Sequence, residues 1–256
     1  MTWSTKPYSQ LLIPMKKTVL FLVFALLLSC QTKAPSKIQD DAKLYQQGMH
    51  YFQRNKYVSA MDYFLEIKNR FPESPYVKDA KLRLADCYYF TREYIDAEIE
   101  YHQFTALHPL HQDIAKVWLQ LGMSQFKQAP KSHQKDLNLI RTAKTTFTMI
   151  THKWPSSQEA QVARDMIQKC NDQEIEKQLY LANFYYRTKK YDVAIKKLEQ
   201  LSLQGNVDLA YVASRNLLLA KAYLKTEEKD RAENILQAIL NNPDLKDYHG
   251  QAKKLL

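Results

Sequence analysis

Few side chains in this 256-residue sequence could do chemistry. Cys30, Cys87 and Cys170 could be nucleophiles, metal ligands or acylation sites, and His102, His108 and His111 form the one histidine cluster with ligand-like spacing. The three histidines straddle Pro109, with no cysteine or carboxylate pair close by to complete a site, so they read as solvated turn residues. Glu98/Glu100 and Glu227/Glu228 follow one another along a helix without facing each other, and read as solvated faces. No G-x-S-x-G, P-loop, H-E-x-x-H or C-x-x-C occurs. The expectation is a binding module: no catalytic residue, no metal, no cofactor.

Cys30 stands apart because of what precedes it. From Met15 the chain reads Met-Lys-Lys-Thr, then an apolar run from Val19 to Leu28, then Ser29-Cys30. A basic start, a short apolar core and a small residue before the cut make a secretory signal over residues 1–29, with Met15 as an alternative start. As a helix this run would reach about 15 Å, half of a bilayer's hydrocarbon core, so it is too short to span. Leu27-Leu28-Ser29-Cys30 resembles the bacterial lipobox, in which the cysteine is lipidated on sulfur and becomes the new N-terminus. Gln31, where an Asp would signal inner-membrane retention, points to the outer membrane. Residues 30–40 read as the lipidated cysteine and a flexible polar tether. Cys87 and Cys170 lie in apolar helical patterns and read as small buried hydrophobes.

What must position any binding residues is a helical repeat over residues 41–256. Ala60-Met-Asp-Tyr-Phe64 with Pro72 recurs as Ala97-Glu-Ile-Glu-Tyr101 with Pro109, and again as Ala143-Lys-Thr-Thr-Phe147 with Pro155. Each copy has a small residue, a large one four later, and a proline that ends the helix. Gly48, Ala85 and Gly122 take the small position of the preceding helix, and Trp118, Leu121 and Gly122 spell W-x2-L-G. The third copy is about nine residues too long, which places an insertion near Gln128–Leu139. Ala182 with Ala194, and Ala220 with Ala232, mark copies four and five. Ser156–Asp172 reads as an extra helix leading into copy four, separate from it or continuous. Only 4 glycines among 256 residues suit such an array. The fold class is all-α: a tetratricopeptide-repeat solenoid of about five helix pairs.

The lipobox, the tether, Lys56-Tyr-Val-Ser-Ala-Met-Asp-Tyr-Phe64, Arg70-Phe-Pro-Glu-Ser-Pro-Tyr76, Ala80-Lys-Leu-Arg-Leu-Ala85 and Leu179-Tyr-Leu-Ala-Asn-Phe-Tyr-Tyr186 together resemble the BamD family of outer-membrane assembly lipoproteins. The resemblance runs from Cys30 to about Ile239 and includes the enlarged third repeat. It departs in the insertion, which lacks an Asp/Arg-rich stretch, and in copy four, which ends Leu201-Ser-Leu-Gln-Gly205 without proline. It implies a scaffold on the periplasmic face of the outer membrane, anchored through its N-terminal lipid. The N-terminal repeats would receive unfolded outer-membrane proteins, and the C-terminal repeats would dock subunits of the barrel-assembly complex. Another envelope lipoprotein of this repeat type, serving pilus or cell-wall assembly, would carry the same signals.

Tyr51, Tyr88, Tyr185 and Tyr223 fall on the repeat's packing position and are expected in the core. A second set falls where the first helix of each pair should face the concave groove: Tyr45, Met49, Phe52, Leu82, Tyr89, Leu119, Met123 and Phe126. Inter-helix packing is the alternative for each; together they would line a peptide-binding groove. The net charge of +10 falls to +7 beyond Cys30, because Lys6, Lys16 and Lys17 precede it and no acid does. Interspersed charges and the leader argue against nucleic acid as a partner. If Cys30 carries the lipid, Cys30→Ser abolishes incorporation of a radioactive fatty acid and releases the protein from the membrane; label persisting on the variant would refute the assignment.

Overall fold

The repeat's spacing is written directly into the helices of the computed structural model, which describes residues 34–130, 136–203 and 207–256. The leader, Cys30, Gln31 and the middle of the insertion lie outside the described residues. Eleven α-helices and no strand occur among the described residues: α1 Asp41–Gln53, α2 Tyr57–Arg70, α3 Val77–Thr91, α4 Tyr94–Leu107, α5 Ile114–Gln128, α6 Asn138–Lys153, α7 Gln158–Arg187, α8 Tyr191–Gln200, α9 Leu209–Lys225, α10 Lys229–Asn241 and α11 His249–Lys253. Each helix packs on the next in the chain, and α1–α3, α5–α7 and α7–α9 also touch. This is a tetratricopeptide-repeat solenoid with five pairs: α1/α2, α3/α4, α5/α6, the second half of α7 with α8, and α9/α10.

The pairs close because a small residue on the first helix lets a large one on the second approach. Ala60, Ala97, Ala143, Ala194 and Ala232 are completely buried, and so are Phe64, Tyr101, Phe147 and Leu198 four residues later. A Cβ added to Gly48 would lie 2.7 Å from Phe64 Cε1, and one on Gly122 would lie 2.7 Å from Phe147 Cε1. Both contacts are shorter than carbon atoms tolerate, so the crossing excludes even alanine unless a ring moves.

The helix ends repeat as well. The residue before each helix-ending proline cannot stay helical, and Phe71, His108 and Trp154 adopt nearly one conformation, with φ of −128°, −130° and −132°. In pairs one, two, four and five the inner turn places Asn55, Arg92, Lys189 or Glu227 in the left-handed region, φ 58° to 70°. The following N–H donates back to Tyr51, Tyr88, Tyr185 or Tyr223, at 2.9–3.0 Å. Such a helix stop usually takes glycine; here four other residues bear the strain. Only Tyr223 of those four tyrosines is fully buried. The other three are half-buried, which corrects the expectation that all were core: their position serves the turn, and their rings reach the surface.

Two further features matter. The stretch Ser156–Asp172 is continuous with copy four: α7 is a single helix of 30 residues, capped by Ser157, whose Oγ accepts from Ala160 N–H at 3.0 Å. And the described part of the tether is structured. Pro35–Lys37 forms a 3-10 turn against α2, and Asp40 caps α1 by accepting from Lys43 N–H at 3.0 Å.

Gly48→Ala should cost about 1–3 kcal/mol through overpacking against Phe64. Gly250→Ala, where nothing lies within 4 Å, should be neutral or stabilising by up to about 1 kcal/mol. Equal urea midpoints for the two variants would contradict the close-crossing account.

Candidate functional site

A connected group of aromatic residues, most of them partly exposed, lies on the first two pairs. It begins with a repeated ring pair that brackets each inner turn: Phe52 with Tyr57 at 5.4 Å, Tyr89 with Tyr94 at 5.6 Å, and Tyr186 with Tyr191 at 5.5 Å between centroids. The first ring sits four residues after the small residue of one helix, the second three residues before the alanine of the next. Phe90 joins the first two brackets, stacking on Tyr57 at 4.6 Å and meeting Phe52 and Tyr89 edge-on. Beneath the surface, the buried Phe64 links Phe52 to Tyr45, which stacks on Tyr76 at 5.0 Å. The result is an aromatic ledge running from α1 across α2 and α3 to the start of α4.

Arg83 lies over the Phe52 ring at 5.6 Å and is ion-paired with Asp86. Asp86 is 8 % exposed and accepts from the Tyr101 hydroxyl at 2.7 Å. Burial pushes the Asp86 carboxyl above its usual range, against the pull of Arg83 and of the Tyr101 bond. Burial, then Asp86, raises Tyr101 well above an ordinary phenol. These groups fix Arg83 beside the ledge, where a guanidinium can meet a carboxylate.

The expected groove residues divide. Tyr45, Met49 and Phe52 pack together on the first-pair core, and Tyr89 reaches them through Phe90. Leu82 is 4 % exposed and packs with Ala85, Ala97 and Tyr101, so it supports the wall without presenting surface. Leu119, Met123 and Phe126 belong to another cluster, with Ile140, Phe147 and Cys170. Sequence reasoning missed Phe90, 48 % exposed; its signal was the adjacent Tyr88-Tyr89, which turns a third ring outward. It also missed Phe184. The same register position holds Cys87, Ser124 and Ala222, all completely buried, and the exposed His50 in the first pair, whereas Phe184 puts a large apolar ring there, 51 % exposed.

The remaining candidates for chemistry have structural explanations. His111 occupies the turn position of Ser74 and Ser157: its Nδ1 accepts from Asp113 N–H at 3.2 Å, as Ser74 Oγ accepts from Tyr76 N–H at 3.1 Å. Among the described residues no group of three potential ligands could hold a metal. Burial pushes the Cys87 and Cys170 thiols up to about 12, which leaves them inert. Glu98 and Glu100 correct the solvated-face expectation. Glu98 accepts from Gln125 at 3.1 Å, which in turn accepts from Thr146 at 2.8 Å, while Glu100 is ion-paired with Lys68. Both tie neighbouring pairs together. No helix among the described residues is long and apolar enough to cross a membrane.

The model of the family YfiO, outer membrane lipoprotein, matches residues 37–234. The chain belongs to the YfiO family. That match spans both the aromatic ledge and all four left-handed turns. Similar proteins include the outer membrane protein assembly factor BamD of Rickettsia prowazekii, 25% identical over 233 residues, covering 89% of this chain and 91% of that one. BamD of Vibrio cholerae is 22% identical over 234 residues, covering 87% and 96%. Among solved structures, a thermophilic TPR protein of Thermus thermophilus is similar at 14% identity and TM-score 0.38, covering 84% of this YfiO-family chain and 98% of its own.

Asp86 makes a pH-dependent contribution whose sign is fixed by its shift. Its folded form keeps the proton above the unfolded value of 3.8, so stability falls as pH rises from there through the folded pKa. Asp86→Asn removes this dependence. The stability of the parent minus that of the variant, from urea unfolding between pH 4 and 7 (a range set by ordinary carboxylate titration), should therefore decrease with pH and then level off. An increasing difference would mean that Arg83, and not burial, governs this carboxyl.

Proposed function

We propose that this chain is a scaffold subunit in the assembly of outer-membrane β-barrel proteins, anchored by lipid on Cys30 and facing the periplasm. It binds and does not catalyse. The observation that carries the reading is its membership of the YfiO outer membrane lipoprotein family, together with similarity to BamD assembly factors over nearly its whole length. The aromatic ledge deepens that reading. An unfolded barrel strand alternates apolar and polar side chains, so successive apolar residues can seat between Tyr45, Phe52, Phe90 and Tyr89 while Arg83 takes a terminal carboxylate. Met49, Leu119, Met123 and Phe126 extend the binding path toward the third pair, over the buried Leu82. The C-terminal repeats dock partner subunits, and the exposed Phe184 lies on that half.

Two measurements separate the scaffold from the receptor. Co-purification from detergent-solubilised envelopes tests the scaffold: absence of a barrel-assembly core would sink it and favour pilus or cell-wall assembly. For the receptor, a fluorescent C-terminal barrel peptide is titrated against residues 31–256. Phe52 and Tyr89 brace turns, so the informative variant is Tyr45→Ala with Phe90→Ala, shown to be folded by circular dichroism. It should bind on the order of tenfold more weakly, as expected for losing anchors worth about 1–2 kcal/mol. Unchanged binding by the folded variant would remove the ledge from the site.

A further inference from the structure

Arg70, at the end of α2, has more partners than its place on a surface helix requires. Its Nη1 donates to Ser36 O and Ile38 O, each at 3.1 Å, and to Glu66 Oε2 at 2.9 Å; Nη2 donates to Gln39 Oε1 at 2.9 Å. Its guanidinium also lies over the Phe71 ring at 5.1 Å. Three of those acceptors belong to the segment just before α1. That segment is itself shaped for docking: Lys37 N–H and Ile38 N–H close the 3-10 turn on Ala34 O and Pro35 O at 3.0 Å, and Ile38 packs on the core of the first pair. A planar fork with five donors can bridge several acceptors at fixed angles, which a lysine cannot do.

We propose that residues 34–39 are a docked strap, that Arg70 positions it, and that the strap fixes which end of the array faces the lipid bilayer. The chain is part of the body from Ala34 onward. From there, four Cα steps lead back to Cys30, at most about 14 Å at 3.3–3.6 Å per residue. The acylated N-terminus therefore holds the α1/α2 end within that distance of the lipid headgroups, on a leash too short for the body to turn over. A free ten-residue coil would let any face approach. The membrane half of this inference rests on the lipid reading of Cys30; the docking of the strap does not.

The experiment treats these halves separately. In the mature chain, trypsin should cut Lys37–Ile38 slowly despite the exposure of Lys37, because the docked backbone cannot enter a protease. Arg70→Gln should speed that cut on the order of tenfold or more, as expected on losing several charge-assisted bonds. Cuts within α2 and α3 should keep their rates, which a general loss of stability would not allow, and Arg70→Lys should not restore protection. For orientation, Cys30 is coupled to a maleimide phospholipid in vesicles of phosphatidylethanolamine and phosphatidylglycerol; the buried Cys87 and Cys170 do not compete. A fluorophore introduced genetically at Gln47 should transfer energy to labelled headgroups far better than one at Lys253, and Arg70→Gln should narrow the difference. Equal cutting of Lys37–Ile38 in parent and Arg70→Gln overturns the strap. Equal transfer from both positions in the parent overturns the orientation. Because the anchor is supplied chemically, neither result depends on whether cells lipidate Cys30.

Discussion

The array depends on one kind of contact, a large side chain pressed against a residue with almost no side chain. Phe64 lies where a Cβ on Gly48 would need to be, and Phe147 stands in the same relation to Gly122. Dispersion falls steeply with separation, so this approach brings each ring within reach of many partners at once. Helix spacing, and with it the pitch of the solenoid, is set by the sum of the two side chains at each crossing. Tyr101 adds a demand of its own. Being buried with a hydroxyl, it needs an acceptor, and Asp86 supplies one at 2.7 Å. The aspartate in turn needs Arg83. A packing choice in the second pair thus places a cation at the edge of the aromatic ledge.

Much of this was legible in the sequence because the repeat is a period, and a period survives substitution. The alanines, the residues four later and the prolines stood 37 residues apart between the first two copies and 46 between the second and third, and Phe71, His108 and Trp154, each just before its proline, share a backbone conformation. The insertion in pair three could also be counted, since Gly122 and Ala143 stand 21 apart in sequence where other copies show 12. Nothing in the alphabet announced the four left-handed turns, whose residues are Asn, Arg, Lys and Glu. There the turn length fixes the conformation and the side chain tolerates it.

The site was harder to read, for a physical reason. Phe52 and Tyr89 occupy register positions that look outward on a helical wheel, yet the next helix begins five residues later with Tyr57 or Tyr94, and the rings close on each other. A single-helix pattern cannot show what another helix covers. The same limit hid the burial of Leu82 and the exposure of Phe90 and Phe184. It also made Glu98 look solvated, when Gln125 from the next pair donates to it.

Helix α7 belongs to two neighbourhoods at once. Its first half carries Ala160, Ala163, Met166 and Cys170 into the cluster of the third pair, and its second half carries Ala182 into the cluster of the last two. At 30 residues it is about 45 Å long. Most solenoids flex by small rotations shared among many separate helices. Here one unbroken rod is common to both halves, so a change in the angle between them must bend or break that rod. A torque applied to the first three pairs would then reach the last two with little loss, as through an axle.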